Sequence, residues 1–135
     1  MIVDPSAIVA IHDREPDAVA LRNVLADSRA PRLSAASYVE CAVVLDRRSL
    51  SGRSRLDEVL DDMNITLAVF TEEQARVARR AHQRFGRGSG SQARLNLGDC
   101  FSYALAITED EPLLFKGDDF THTDVRNALM ESDHH

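Results

Sequence analysis

The chain of 135 residues is 44% hydrophobic and 5% aromatic, which predicts one domain, spanning residues 1–133, with an aliphatic core. No apolar stretch approaches the roughly 20 residues of a membrane span, so we expect a soluble, cytoplasmic protein with no membrane partner. The formal net charge of −6 argues mildly against a nucleic-acid partner.

Segments with strand and helix patterns alternate along the chain. The predicted strands are Met1–Val3, 31–35, 65–70 and 112–115, and the predicted helices are Ser6–His12, Asp17–Asp27, Ser34–Ser49, Arg55–Met63, Thr71–Phe85, Leu97–Thr108 and Asp124–Met130. Thr71 and Gln74 predict a capping box, and Gly86 predicts the end of that helix. The alternation indicates a three-layer α/β/α domain with a central, mainly parallel sheet. His134 and His135 are set aside as a possible tag remnant.

The first candidate site residue is Asp4, which follows the first predicted strand and precedes Pro5. Proline is well tolerated at the first position of a helix, so Asp4 can simply be an N-cap. However, ligands of open α/β sheets bind at the carboxyl ends of the strands, where Asp4 lies. Both interpretations stay open for this residue alone.

Glu40 is the one charged residue in the otherwise apolar or small stretch "AASYVECAVVL". A buried ionised carboxylate costs several kcal/mol unless it is compensated. Reaching solvent or pairing with an arginine would compensate it, but no arginine lies one helical turn away. We therefore expect Glu40 to face a polar pocket.

Two further acidic positions are predicted at the same edge of the sheet. Asp99 lies in the first turn of an apolar helix, where the helix dipole favours an anion, and Gly98 before it permits close approach. Ser102 and Tyr103 share its helical face. Asp118 and Asp119 follow the last predicted strand, although Gly-Asp is also common in turns. The helix dipole and ordinary turn chemistry remain the alternatives to a functional role.

Four carboxylates at one place need compensation. At separations of about 6 Å and an effective dielectric constant of about 20, each pair repels by roughly 3 kcal/mol. Such a cluster must take up protons or hold cations, and ligation by oxygen alone favours Mg²⁺ or Mn²⁺. Sites of this kind mostly serve phosphoryl transfer and phosphodiester hydrolysis.

Five segments of the chain resemble the VapC-type PIN-domain toxins of bacterial toxin–antitoxin pairs; they are "MIVDPSAIVAI", "LSAASYVECAVVLD", "FGRGSG", "LNLGDCFSYALA" and "PLLFKGDDFTHTDV". This resemblance implies an endoribonuclease that depends on Mg²⁺ or Mn²⁺, acts on RNA, is inhibited by a small VapB-type antitoxin and forms a homodimer. It also implies that an antitoxin arginine enters the acidic pocket.

The resemblance assigns roles to the acidic residues. Asp4, Glu40, Asp99 and Asp119 match the four catalytic acids of the family, and Asp118 is the weaker match for the fourth. Asp4 and Asp99 would hold the metal directly, and Glu40 and Asp119 would complete the pocket. A water activated by the metal would attack the phosphodiester and leave 5′-phosphate and 3′-hydroxyl ends.

Pro5 departs from the family pattern, which usually has threonine or serine after the first acid. The proline removes a hydroxyl and a backbone N–H near the metal, and Ser6 could partly replace the hydroxyl. The alternative to an active nuclease is therefore a catalytically impaired PIN protein that binds RNA or its antitoxin.

Basic residues are candidates for substrate binding. Arginines 76, 80, 84 and 87 share one helical face opposite Ala78, Ala81 and Phe85. This arginine stripe is either solvated and paired with local glutamates or a track for RNA phosphates that Arg94 extends. We expect Lys116 to pair with Asp118, with a phosphate contact as the alternative. The supporting candidates around the site are Ser6, Ser102, Asp118, Lys116, Arg87 and Arg94.

The histidines and cysteines are predicted to be structural. His12, His82 and His122 lack the spacing of a metal site or a catalytic triad. Cys41 and Cys100 lie in apolar helical contexts, which favours buried thiols over a disulfide. Two rival families fit the motifs poorly. A response-regulator receiver needs an acid after a central strand and Lys-Pro after the last, and a haloacid-dehalogenase-type phosphatase needs Asp-x-Asp where Ser6 takes the third place.

Overall fold

The computed structural model describes residues 1–132, so His134 and His135, and the predicted boundary at residue 133, lie outside the described residues. Strands and helices alternate as predicted over most of this range. The elements are β1 (Ile2–Val3), α1 (Pro5–His12), α2 (Ala18–Ala26), β2 (Arg32–Ser34), α3 (Ala35–Arg48), α4 (Leu56–Asp62), β3 (Thr66–Ala68), α5 (Glu72–Phe85), α6 (Leu97–Glu109), β4 (Leu113–Leu114) and α7 (Ala128–Ser132). Within residues 1–132, no helix has the length and apolar character to cross a membrane.

The four strands form one parallel sheet in the order β3-β2-β1-β4. In β1, Ile2 is in register with Arg32 of β2 and with Leu113 of β4. Because all of these pairings are parallel, the carboxyl ends of the strands meet at one edge. This confirms the predicted mainly parallel sheet and brings the residues after β1 and β4 to the same side of the molecule.

Two hydrophobic cores lie on opposite faces of the sheet. Val3 and Leu114 pack with residues of α1 to α4 in one core. Ile2 and Leu113 pack with residues of α5 and α6 in the other. Successive strand residues point to opposite faces, so each two-residue strand supplies one side chain to each core. The result is the predicted three-layer α/β/α arrangement.

The chain departs from prediction between Asp124 and Asn127, where a helix was expected. The backbone N–H of Leu113 donates to the carbonyl of Arg126 at 2.9 Å, and Leu113 and Asn127 form a parallel bridge. The segment therefore pairs with the exposed edge of β4, and the helix begins only at Ala128. Asn127 accepts hydrogen bonds from the backbone of residues 129 and 130 and so caps that helix.

Two smaller predictions have different outcomes. Cys41 and Cys100 are buried free thiols, as predicted, and burial raises the pKa of both thiols, to about 12 and about 11. At the start of α5 only half of the predicted capping box forms. The Thr71 hydroxyl accepts from the backbone N–H of Gln74 at 3.1 Å, while Oε1 of Gln74 is buried without a partner.

Candidate active site

Asp4 directly follows β1 and caps α1, and the residue is almost wholly buried, at 3% exposure. Oδ2 accepts from the backbone N–H of Ser6 at 2.9 Å, whereas Oδ1 is buried with no hydrogen-bond partner. Burial raises the pKa of Asp4, and the nearby polar groups of Ser102 and Ser6 partly oppose this rise. A buried carboxylate oxygen without a partner is unusual, and it indicates an oxygen kept available for a ligand.

Pro5 occupies the first position of α1, which explains why the capping bond to Asp4 comes from Ser6. The Ser6 hydroxyl accepts from the backbone N–H of Lys116 at 3.0 Å. It therefore ties the start of α1 to the segment after β4 while staying close enough to act on Asp4.

Asp99 is held by a reciprocal capping box with Asn96. Asn96 Oδ1 accepts from the backbone N–H of Asp99 at 2.8 Å, and Asp99 Oδ2 accepts from that of Asn96 at 3.0 Å. Burial raises the pKa of Asp99 to about 7, and the charges of Asp4, Asp119 and Glu40 add to the rise. The box fixes the side chain and leaves Asp99 Oδ1 without a hydrogen bond to any described residue. Asn96 was missed in the sequence, although Asn three residues before Asp at the start of an apolar helix is a capping pattern.

Glu40 projects from α3 toward the first turn of α6. Its carboxylate contacts Gly98 so closely that a Cβ at Gly98 would lie 1.7 Å from Oε2. Glu40 is exposed overall and makes no ion pair within residues 1–132, and partial desolvation of its carboxylate, together with the charge of Asp4, raises its pKa. It lines a cavity of about 500 Å³ with Ser6, Asn96 and Lys116, while Cys41 and Val44 supply part of the apolar wall. The space beside Gly98, which the sequence suggested for a ligand, is therefore occupied by the Glu40 carboxylate.

Asp118 and Asp119 are exposed in the loop after β4. The charge of Asp119 raises the pKa of both Asp4 and Asp99. Asp118 and Asp119 also line a second cavity of about 440 Å³, which is described further below. Asp4, Glu40, Asp99 and Asp119 are therefore coupled electrostatically at one edge of the sheet.

None of these four acids forms an ion pair with a cation of the described chain. The ion pairs within residues 1–132 include none of Asp4, Glu40, Asp99 or Asp119. Nor do any three or more histidine, cysteine, aspartate or glutamate side chains of residues 1–132 form a ready-made metal cage. Mg²⁺ commonly uses only one or two carboxylates and completes its shell with water and substrate phosphate. The partnerless oxygen of Asp4 and the fixed carboxylate of Asp99 fit that mode.

The position of the Lys116 side chain differs from prediction. The expected pairing of Lys116 with Asp118 is wrong, because Nζ of Lys116 lies 3.1 Å from Glu15 and 3.5 Å from Asp17, in the connection between α1 and α2. Gly117, at φ +98°, turns the chain between Lys116 and Asp118. The cation is therefore drawn away from the loop that carries the acids.

Ser102 and Tyr103 were predicted to surround Asp99, and they behave differently. Ser102 is buried, acts on Asp4, and its Oγ lies 3.4 Å from that of Ser37 on α3. The Tyr103 hydroxyl instead donates to Asp124 at 2.6 Å, and its ring packs near Phe85. Tyr103 therefore belongs to the core and not to the acidic site.

The arginine stripe is divided. Arg76 pairs with Glu72 at 3.0 Å, and the guanidinium of Arg84 lies 4.6 Å from the ring centroid of Phe85. Of the stripe, Arg87 lines the cavity that contains Asp119, together with Arg94 of the following loop. The opposite face of α5 is buried as predicted, through Ala78, Ala81 and Phe85.

Comparisons with known proteins agree with this architecture. A family model described as the PIN domain matches residues 1–126. Ribonuclease VapC28 of Mycobacterium tuberculosis is 55% identical over 130 residues, which cover 96% of this chain and 98% of that protein. Ribonuclease VapC of Mycolicibacterium smegmatis is 45% identical over 126 residues, which cover 93% of this chain and 97% of that protein.

A solved structure shows the same fold. The crystal structure of Mycobacterium tuberculosis VapC20, described as a Sarcin-Ricin loop cleaving toxin, superposes with a TM-score of 0.66 at 16% identity and covers 93% of this chain and 98% of that chain. The family model and the relatives span nearly the whole sequence and confirm the resemblance found in the motifs. The chain therefore belongs to the PIN-domain family and, within it, to the VapC-type toxins.

Proposed function

We propose that this protein is a metal-dependent endoribonuclease and the toxin of a type II toxin–antitoxin pair. Relatives at 45% and 55% identity are named ribonucleases, which supports an RNA-cleaving activity. The proposal of a metal ion rests on the buried Oδ1 of Asp4, which has no hydrogen-bond partner. It lies near carboxylates that form no ion pair with a described residue.

Asp4 and Asp99 would hold Mg²⁺ or Mn²⁺. When bound, such a cation neutralises phosphate charge and makes water a better nucleophile. The capping bonds of both carboxylates hold them in place before substrate arrives, which lowers the cost of organising the site.

We assign Glu40 and Asp119 to hydrogen bonding with the attacking water and with water near the leaving group. Both side chains are exposed and carry no ion pair with a described residue, so they can accept hydrogen bonds from water in the site. In the proposed hydrolysis, the water oxygen bonds to phosphorus and the bond from phosphorus to the 3′ oxygen breaks. The leaving oxygen takes a proton, which yields a 3′-hydroxyl end and a 5′-phosphate end.

We propose two protein partners, an antitoxin and a second copy of this chain. A VapB-type antitoxin would inhibit the enzyme by inserting an arginine among the acids, none of which is ion-paired within the described chain. We also propose that the toxin acts as a homodimer in the cytoplasm.

Pro5 favours a second candidate, a catalytically impaired protein that binds RNA or antitoxin. It removes a backbone N–H and a family hydroxyl beside Asp4, and the Ser6 hydroxyl that could replace it is shared between Asp4 and the backbone N–H of Lys116. The alternative predicts RNA binding without cleavage.

Cleavage of structured RNA in Mn²⁺ by the wild type and by Asp99→Asn separates these functions. We expect Asp99→Asn to cut more than about 100-fold slower, since loss of groups that merely support a metal ligand already costs about 10–100-fold. Asp61→Asn, at an exposed position of α4, is a charge-matched control and should cut normally. Equal cleavage by the wild type and Asp99→Asn would remove the proposed site. RNA binding without cleavage by the wild type would favour the impaired protein.

A metal-binding measurement accompanies the cleavage assay. Mn²⁺ should raise the thermal unfolding midpoint of the wild type and of Asp61→Asn, but not that of Asp99→Asn, because a ligand that binds only the folded state stabilises it. An equal shift in all three proteins would contradict the assignment of Asp99.

A further inference from the structure

The loop that connects α5 to α6 builds a basic cavity next to the acidic site. The cavity has a volume of about 440 Å³, within the about 300–1,000 Å³ typical of ligand sites. Its walls carry two arginines, two aspartates, a glutamine and a histidine, and the name basic cavity refers to the two arginines. The lining residues are Arg87, Gln92, Ala93, Arg94, Asp118, Asp119 and His122.

Backbone hydrogen bonds close this loop and bring its two arginines together. The N–H of Arg87 donates to the carbonyl of Leu95 at 3.1 Å, and the N–H of Leu95 donates to that of Phe85 at 2.9 Å. Arg87 and Arg94, seven residues apart in sequence, are thus placed at the two ends of a pinned loop. Arg94 adopts φ +52°, a left-handed conformation that is uncommon for a residue with a side chain.

The guanidinium groups of Arg87 and Arg94 are unpaired within the described chain. Both arginines are exposed, and neither makes an ion pair or a side-chain hydrogen bond with any residue from 1 to 132. By contrast, Arg76 is already paired with Glu72 on α5. The cavity therefore holds two cations available to an anion, directly beside Asp119 of the acidic site.

The cavity on the other flank of the acids has the opposite character. Its cation, Lys116, is paired with Glu15 and Asp17, and Glu15 and Glu40 line the same walls. Val9, Val44 and Cys41 make much of the remaining surface apolar. An RNA phosphate would find no unpaired cation there, whereas two unpaired guanidinium groups line the basic cavity.

We propose that the basic cavity is a subsite for the RNA strand on one side of the scissile phosphate, and that Arg87 and Arg94 bind the adjacent backbone phosphates. This inference rests on the proposed ribonuclease function. Gln92 and the ring of His122 line the same cavity and offer hydrogen bonding and stacking to an unpaired base, which is how proteins commonly read single-stranded RNA. The protein therefore binds the RNA strand on one side of the acidic site only.

Binding of a labelled, mixed-sequence single-stranded RNA, followed by fluorescence anisotropy in EDTA at several salt concentrations, tests the subsite. All proteins carry Asp99→Asn, so cleavage does not interfere. Adding Arg87→Ala and Arg94→Ala together should weaken binding at least about 10-fold and reduce the slope of log K against log salt by about 1.4, since each lost phosphate contact contributes about 0.7. Lysine at both positions should restore most of the slope.

The matched control is Arg79→Ala with Arg80→Ala in the same background. These exposed arginines of α5 make the same change in charge but lie away from the basic cavity. Equal losses in the two double variants would overturn the subsite in favour of general charge attraction along α5. Unchanged RNA binding after loss of Arg87 and Arg94, with an unchanged unfolding midpoint, would overturn it as well.

Cleavage of RNA by the chain with an intact Asp99 separates failure of the subsite from failure of the enzyme. Loss of the two arginines should slow cleavage at subsaturating RNA much more than at saturating RNA, because binding is what they supply. Normal cleavage by that variant at both RNA concentrations would overturn the subsite alone. Absence of cleavage by the wild type would contradict the proposed enzyme, whereas the binding comparison in EDTA would still decide the subsite.

Discussion

The two ends of the central sheet both gather carboxylates, but their surroundings differ. At the amino end, Glu111 contacts the N-terminal amine of Met1 and the guanidinium of Arg32, and Glu109 lies 3.5 Å from the same guanidinium. At the carboxyl end, Asp4 and Asp99 have no cation among the described residues. Burial acts on the carboxylates at both ends, yet the pKa of Glu111 is lowered while those of Asp4 and Asp99 are raised.

This difference separates a structural use of charge from a functional one. Paired carboxylates at the amino end stabilise the fold by joining β1, β2 and the segment before β4. Unpaired carboxylates at the carboxyl end cost stability, and a bound cation can repay that cost. Removing charge should therefore have opposite effects on stability at the two ends.

The largest expected effect is that of Asp4→Asn. RNA cleavage should fall more than about 100-fold, because a proposed metal ligand is lost. The metal-free protein should unfold at a higher temperature at neutral pH, because asparagine keeps the cap and removes a buried charge. Cleavage rates and the unfolding midpoint in EDTA check the two parts. A large loss of stability would contradict the distinction between the two ends.

The pH dependence of stability in EDTA should also differ between the ends. Burial raises the pKa of Asp99 from its ordinary value of 3.8 to about 7 in the folded protein, so its contribution to stability is present below pH 3.8 and is lost as the pH rises through 7. The pKa of Glu111 is lowered from 4.5, so its contribution is present above that value and is lost as the pH falls.

Denaturant unfolding across this pH range measures both contributions. Asp99→Asn should make the decline in stability between about pH 4 and pH 7 shallower, by less than about 1.4 kcal/mol per pH unit, since one partly exposed proton site is removed. Glu111→Gln should leave that decline intact. Parallel profiles for the wild type and Asp99→Asn would contradict the raised pKa.

A smaller effect is expected from Gly98→Ala, which disturbs the carboxyl end without changing its charge. The added Cβ would meet the Glu40 carboxylate, the movable end of a side chain, so Glu40 should shift and the fold should survive. We expect cleavage to fall about 10-fold, the scale for groups that support a metal site. In a Glu40→Ala background the same change should have little further effect on the cleavage rate. An unchanged additional loss there would show that Glu40 is not the affected group.

The smallest effect is expected at the amino end. Glu111→Gln should destabilise the protein by about 1 kcal/mol, because its ion pairs are partly exposed, and should leave RNA cleavage unchanged. Denaturant unfolding at pH 7 measures the change in stability, and the nuclease assay measures the rate of RNA cleavage. Loss of cleavage without loss of stability would mean that the two ends are not separate in function.

Much of the fold and of the candidate site could be predicted because the relevant signals are local. Alternating strand and helix patterns, Pro5 after Asp4 and the single acid in the apolar run around Glu40 can each be recognised within a few residues. The helix expected from Asp124 did not form at its start, because the backbone there pairs with the open edge of β4, outside the few residues that set a helix pattern. Lys116 was misjudged for the same reason, since Glu15 and Asp17 are about a hundred residues away.

The sequence by itself determined the types of residue available: oxygen ligands without a histidine or thiol set, caps at the right helix starts, and arginines in the loop after α5. Only the tertiary structure decided which of these remain unpaired. Parallel strand pairing places Asp4 and Asp119 at one edge of the sheet. Lys116 pairs with Glu15 and not with these acids. At the opposite end of the sheet, Arg32 pairs with Glu111. The cause is that ionic compensation depends on distances between side chains far apart in sequence, whereas helix and strand patterns depend on neighbours.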